Sequence, residues 1–402
     1  MKTLDDLKEA LEEKGYFLSR SALYYRLIPA NVRSNDGQRH FSTVNVKLCR
    51  PQNNQRKLHV DSHFAFASVK HARELAGLFG GENCFFLSQD DKARVPIGLP
   101  ISKKQSIMLM HMEYKVQLPD HDFPIGENHK LIPSVYAACL PDKQIPEQVG
   151  YSGPTFVSIR SAKHNKSSSE SHRDDFNHLI NLKEFKEYTH SGEEVKPLIF
   201  VSVDGGPDEA PKNSKTLLVW ADTFKKLDLD ACFIFTRAPG SSAYNPVERR
   251  MAPLSKMTAS VILPYDTFGN HLNSSHKTVD LDLEKENFKA AGEVLSEIFN
   301  EGIIDGHPVV SRFVSSVSEE SENTISEEWK AAHVIQSQYM CQIVKCLDPE
   351  CCKPFRTNYS ELFPQRFLPP PVPVKSKYWW CQNRPDRSFW NPIPGNSSAE
   401  FA

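Results

Sequence analysis

PLIFVSVDGGPDEAP (197–211), KNSKTLLVWADTFKKLDLDACFIFTRAPG (212–240) and SSAYNPVERRMAPLSK (241–256) follow one another through the middle of the 402-residue chain. Leu198 to Val203 is a short apolar run, β-branched and aromatic, closed by Gly205, Gly206 and Pro207, which predicts a strand buried on both faces. Leu217, Leu218, Ala221, Phe224 and Leu227 then recur at helical spacing, with Asn213 or Ser214 as N-cap. Ala231 to Thr236 is a second buried strand. Strand, helix, strand requires a crossover, so the two strands are expected to be parallel. Asp204 falls at the carboxyl end of the first strand, where open α/β sheets keep their ligand crevice, and Glu248 opens the helix after the second.

Upstream, Val60 to Phe79 has a helical pattern closed by Gly80 and Gly81, and Cys84 to Gln89 is a strand that also ends on carboxylates, Asp90 and Asp91. A weaker apolar segment, Val95 to Leu99, and extended runs at 106–118, 131–140 and 154–160 predict further strands. SAKHNKSSSESHRDD (161–175) is low in complexity and is expected to be part of a surface insertion at about 161–190. Downstream, 282–304 carries an amphipathic helical pattern. VSSVSEESENTISEE (314–328) is acidic and Ser-rich and suits a linker at 311–330. Beyond it, 331–402 holds four clustered cysteines, the proline run LPPPVPV and a tail with Trp379, Trp380 and Trp390, which fits a small accessory region.

Near the N-terminus, Leu4, Leu7 and Leu11 mark one short helix that Gly15 stops. Ser19 can cap a second, Arg20 to Ile28, ended by Pro29. Two short helices joined through a turn suggest a helix-turn-helix, with Arg20, Ser21, Tyr24, Tyr25 and Arg26 as donors for DNA; an ordinary helical hairpin with solvated arginines is the alternative. Residues 15–60 carry eight Lys or Arg against one acid, Asp36, a balance that suits phosphate tracking.

The net charge of −2 is therefore an average over unlike segments, and 39% hydrophobic residues suffice for a substantial core. No run approaches the roughly 18 apolar residues that would span a membrane, and MKTLDDLKEALEEKG lacks the apolar core of a signal peptide. A nuclear or cytoplasmic protein is the expectation. Nine cysteines, an odd number, scattered at 49, 84, 139 and 232 and then clustered from 341 to 381, argue for reduced thiols rather than a disulfide scaffold.

Acids that end neighbouring strands can converge. Mg²⁺ (or Mn²⁺) is a hard ion that takes a few carboxylates and keeps its other positions for water and phosphate. Two such ions roughly 3.5–4 Å apart can activate an attacking oxygen and stabilise a leaving one in phosphodiester displacement. The candidate ligands are Asp90 or Asp91, Asp204 and Glu248. Each has a local alternative: Asp204 before Gly-Gly-Pro suits a turn, and Asn245, Pro246 and Glu248 suit N-cap, N1 and N3 of a capping box. Asp208 and Glu209 are spare acids, and Pro253 threatens to kink the helix that carries Glu248.

The order strand-Asp, strand-Asp, strand, helix-Glu resembles the ribonuclease H-like core of DDE (Asp-Asp-Glu) transposases and retroviral-type integrases. RAPGSSAYNPVERRM resembles the segment of mariner-like transposases in which Asn-Pro-x-Glu brings the third ligand. DDKARVPIG, VDGGPDE and KCLDPECC are similar to stretches of other transposon-derived proteins. The resemblance covers roughly residues 84–262. It implies a mixed α/β sheet flanked by helices, with Asp90 (or Asp91), Asp204 and Glu248 as metal ligands and catalytic acids. It also implies DNA as partner, self-association into a homo-oligomer, and strand cleavage or transfer of the kind used in DNA recombination. A catalytically silent DNA-binding or scaffold protein that keeps the fold, and a nuclease on RNA or hybrid duplexes, are the alternatives. The expected division is 1–58 for the helix-turn-helix and basic linker, 59–310 for the core, then the acidic linker and the 331–402 region.

Cys341, Cys346, Cys351 and Cys352 lie close in sequence but not at the spacing of two zinc knuckles. Free thiols packed in a small lobe, or a structural Zn²⁺ completed by His333 or Cys381, both remain open.

Overall fold

The computed structural model describes residues 4–27, 59–101, 125–141, 150–259, 261–315 and 325–372. The expected strand at 106–118, most of the basic run, 316–324 of the acidic linker, Cys381 and the Trp-rich tail lie outside the described residues. The chain divides into two units, Met1–Lys57 and Leu58–Ala402.

In the first unit, α1 (Leu4–Glu12) and α2 (Arg20–Leu27) form where the leucine spacing and Ser19 predict them. Ser19 Oγ accepts from the Ala22 amide at 3.1 Å, Leu23 is buried, and Arg20, Ser21, Tyr24, Tyr25 and Arg26 all face solvent.

The second unit is built on one mixed sheet. Its centre comprises β1 (Cys84–Asp91), β3 (Lys130–Cys139), β4 (Thr155–Ser161), β7 (Leu198–Val203) and β8 (Ala231–Thr236), with the short β2 (Val95–Pro96) beside β3, while β5 (His190–Ser191) and β6 (Glu194–Val195) pair apart from it. They lie in the order β8-β7-β1-β3-β4. β1, β3 and β4 pair antiparallel, while β1, β7 and β8 pair parallel. That arrangement, a meander of three strands followed by two parallel ones on its other side, is consistent with a ribonuclease H-like fold. The sheet is extended at both edges. β10 (His307–Val314) runs parallel beside β4 and carries β9 (Ile303–Ile304), and β12 (Met340–Val344) pairs antiparallel with β8 and carries β11 (Val334–Gln336). Residues expected in the acidic linker and in a separate C-terminal region thus belong to the same sheet. The buried run MCQIV was a strand that charge and cysteine content obscured.

Helices cover both faces. α3 (Ser62–Asn83) packs Val69, Leu75 and Phe79 against Phe86, Phe200, Phe233 and Phe235 of alternate strand positions. The rings of Phe86, Phe200 and Phe233 stack in sequence across three strands, at 6.4 and 5.0 Å. α7 (Glu248–Met257) and α8 (Leu281–Asn300) cover the same face over β3 and β4. The opposite face takes α4 (Ser169–Leu179) and α6 (Ser214–Lys226), whose Phe176, Trp220 and Phe224 meet Phe85, Tyr136 and Ile199. The remaining short helices are α5 (Lys186–Thr189), α9 (Glu327–His333) and α10 (Tyr359–Leu362). α4 corrects the expectation of a surface insertion. Its sequence is polar because its buried face is polar: Ser169, Ser171, His172, Arg173 and Asp175 are all inside. Pro253 sits within α7 without breaking it.

Among the described residues no helix is long and apolar enough to cross a membrane.

Candidate functional site

Parallel pairing of β1 with β7 runs to Ser88 and Ser202; Asp90 and Asp204 each stand two residues further on, Asp90 within β1 and Asp204 just past the end of β7. Side chains alternate across a sheet, so Asp90 projects from the face that carries Phe86, Ser88, Phe200 and Ser202, and the Asp204 carboxyl lies close enough to repel it. The pairing of β7 with β8 ends at Val203 and Thr236, and Arg237 follows directly after it. Asp90 and Asp204 thus form a row across two adjacent strand ends, with Arg237 just past the end of the third. The turn after Asp204 needs its glycine: Gly205 has φ +92°, and a Cβ there would come within 2.6 Å of Thr236 Oγ1.

Glu248 reaches the row through Asn245. The Asn245 Oδ1 accepts from Ser88 Oγ at 2.7 Å and from Ser202 Oγ at 2.9 Å, and its Nδ2 donates to the Gln89 carbonyl at 3.1 Å. Ser88 Oγ in turn accepts from the Val247 amide at 3.0 Å. Asn245 is thus a clamp between the strand ends and the start of α7, not the N-cap of a capping box, and the helix begins at Glu248 itself. Neither Asn245 nor the two serines was identified as a positioning group from sequence. A serine at the same register position of two strands was the available signal.

Proximity shows in the acidities. Burial, then repulsion from Asp204, Glu209, Glu248 and Asp91, pushes the Asp90 carboxyl up to about 9. Asp204, which is exposed, is raised by desolvation and by Asp208. Glu248 is raised by burial and Asp204, with Lys92 opposing. Lys92 donates to Ser255 Oγ on α7 at 2.5 Å.

The remaining acids belong to the other face. Asp91 accepts from Ser134 Oγ at 2.5 Å, and Arg160 donates to the same hydroxyl at 2.9 Å. Arg160 is also ion-paired with Asp175, which accepts from Tyr136 Oη and Ser158 Oγ, both at 2.7 Å. Asp90 and Asp91 are therefore distinguished by the pleat, with Asp91 held in a structural network. Asp208 lies 3.2 Å from His172 Nε2. Burial opposes both charges of this pair, but the contact holds Asp208 down at about 2 and His172 up at about 9. Glu209 is buried, accepts from the Asp204 amide at 2.9 Å and from Gln89 Nε2 at 3.0 Å, and is pushed up to about 7, chiefly by burial. Glu209 also lies close enough to Asp90 to repel it, ahead of Glu248.

Arg237 was also missed, although a basic residue directly after a strand was visible. It is buried at 8% exposure, lies 5.4 Å from the Phe66 ring, and its Nε has no hydrogen-bond partner among the described residues; the same holds for Nε of Arg73 on α3. Burial and the nearby Arg73 charge bring Arg237 down to about 9. Among the described residues no acid pairs with Arg237, and a buried cation of that kind suits an incoming anion.

Two groups of His, Cys or carboxylate donors among the described residues have atoms all within 4.8 Å of one another. These are His129, His271 and Glu284, and His333, Cys346, Cys351 and Cys352; the trio Asp90, Asp204 and Glu248 is a wider set. Its all-oxygen donors nevertheless suit Mg²⁺ or Mn²⁺, and a pair of ions roughly 3.5–4 Å apart needs ligands spread more widely than one ion does. Cys341 is not in the second group. It is buried in β12 within the core beside Cys232, so the expected four-cysteine ligand set is corrected by replacing Cys341 with His333.

The fold and site define an α/β protein with acids at the carboxyl ends of its central strands. No family model matches the chain, and no curated protein matches it. Among solved structures, the Mos1 mariner paired end complex with Mn is similar over 76% of this chain and 75% of that one, at 12% identity and a TM-score of 0.31. The Mos1 Strand Transfer Complex is similar over 75% and 72%, also at 12% and 0.31. Likeness at that level carries no argument about function.

Proposed function

We propose that the second unit is a transposase-type core that cuts or joins DNA strands with Mg²⁺ or Mn²⁺ held by Asp90, Asp204 and Glu248. The observation that carries this reading is that Asp90 and Asp204 each follow, by two residues, the paired serines Ser88 and Ser202 of adjacent parallel strands, with Asn245 fixing the start of the Glu248 helix against both serines. When bound, the ions would supply Lewis-acid activation of the attacking oxygen and charge stabilisation of the leaving one. The chain's own part is to orient and to neutralise. The three carboxylates hold the cations, Arg237 and Arg73 receive a phosphate of the DNA backbone, and Lys92 balances Glu248. No side chain is the nucleophile in this scheme; water or a DNA 3′-hydroxyl attacks. In the first unit, the exposed Arg20, Ser21, Tyr24, Tyr25 and Arg26 offer donors and aromatic surface for DNA. A nuclear location and self-association on paired DNA ends follow from that role as proposals.

Nicking of supercoiled plasmid by the full chain, with Mg²⁺, Mn²⁺ or chelator, tests the reading. Metal-dependent nicking lost in Glu248→Gln is expected. Nicking that survives in chelator, or that Glu248→Gln leaves intact, would refute it.

A further inference from the structure

We propose that His333, Cys346, Cys351 and Cys352 form a structural zinc site that ties the end of α9 to the loop after β12. The four donor atoms lie within 4.8 Å of one another. His333 Nε2 is 3.2 Å from Cys352 Sγ and 3.6 Å from Cys351 Sγ. Tetrahedral ligation with Zn–S of about 2.3 Å and Zn–N of about 2.0 Å separates donors by roughly 3.5–3.8 Å, so the set needs only small shifts to close on an ion.

Adjacent cysteines seldom ligate the same ion, and a tight turn removes that objection here. The amides of Cys351 and Cys352 both donate to the Asp348 carbonyl, at 3.1 and 2.9 Å, and the Glu350 amide donates to Asp348 Oδ1 at 3.0 Å. The loop folds back on itself and turns both thiols toward the buried imidazole. His333 is oriented from behind. Its Nδ1 lies 2.8 Å from the Trp329 carbonyl, so Nδ1 carries the proton, Nε2 presents its lone pair to the sulfurs, and the ring stacks on Trp329 at 4.4 Å. An outer-shell carbonyl that fixes the tautomer is the usual support of a zinc-bound histidine.

The other tight group differs in chemistry. There Lys163 donates to Glu284 at 2.8 Å, His164 contacts the same carboxylate at 2.7 Å, and His129 and His271 meet through their Nε2 atoms at 2.8 Å. A lysine already supplies the cation, and the imidazoles satisfy each other. The cysteine group has no such cation among its described contacts, and its three soft donors with one imidazole match the Cys₃His preference of Zn²⁺.

Metal content of the purified full chain decides the matter. About one zinc per chain is expected, retained in Cys341→Ser and lost in Cys352→Ser. Cobalt substitution of the wild-type chain is the second measurement, independent of whether a variant folds. A tetrahedral d–d spectrum with thiolate-to-cobalt charge transfer supports the site. Wild-type chain without zinc, an oxidised cysteine pair in its place, an octahedral cobalt spectrum, or equal zinc loss in Cys341→Ser and Cys352→Ser would overturn it.

Discussion

A carboxyl group held protonated near neutrality beside two other acids makes Asp90 the most environment-sensitive residue in the site. Its folded-state pKa of about 9 lies above the roughly 4 of an unfolded aspartate, so between those values the folded chain keeps a proton that the unfolded chain releases. Stability from this group therefore falls as pH rises through that window. Thermal unfolding should show Asp90→Asn more stable than wild type at pH 8 and nearly equal at pH 4, and added Mg²⁺ should raise the wild-type midpoint at pH 8 but not that of the variant. An Asp90→Asn midpoint below wild type at pH 8 contradicts this. The buried Asp175 makes the opposite case. Truncation to alanine leaves Arg160 buried without its partner, at an expected cost of about 3–5 kcal/mol in denaturant unfolding. Both acids stood in plain view in the sequence, but only Asp90 closed an apolar run. Asp175 lies in a Ser- and His-rich stretch whose helix buries polar groups, so hydrophobic periodicity could not reveal it.

At the scale of elements, the site depends on a helix start pinned to two strand ends. Asn245→Ala removes three side-chain hydrogen bonds from a buried position and should cost about 1–3 kcal/mol, while abolishing nicking because Glu248 loses its anchor. Unchanged nicking with lowered stability would separate the clamp from the chemistry. The parallel pair β7 and β8 and the amphipathic α6 were legible because period and turn residues agreed along 198–236. Asn245 was legible only as a residue that can cap. Its partners Ser88 and Ser202 are distant in sequence and meet only once the register of β1 and β7 exists. His333 was in view as one way to complete the cysteine set, but nothing local says that the end of α9 meets the loop that begins 13 residues later.

For the molecule as a whole, the central five strands followed from order and spacing, whereas the added edges did not. β10 to β12 fall where acidic, Ser-rich and Cys-rich sequence suggested linker and annex. DNA binding should draw on both units. Replacing Arg20 and Arg26 by alanine, and separately Arg73 and Arg237 by glutamine, should each flatten the salt dependence of affinity by about 1–2 in log–log slope, measured by fluorescence anisotropy on duplex DNA. An unchanged slope in either double variant removes that pair from the interface. The decisive measurement is plasmid nicking by the full chain beside Asp204→Asn, at matched DNA affinity and with Mg²⁺ or Mn²⁺ supplied. Metal-dependent nicking by wild type, absent in Asp204→Asn, is the expected result; equal nicking by both, or none by a DNA-bound wild type with either metal, would contradict a strand-cleaving site at these strand ends.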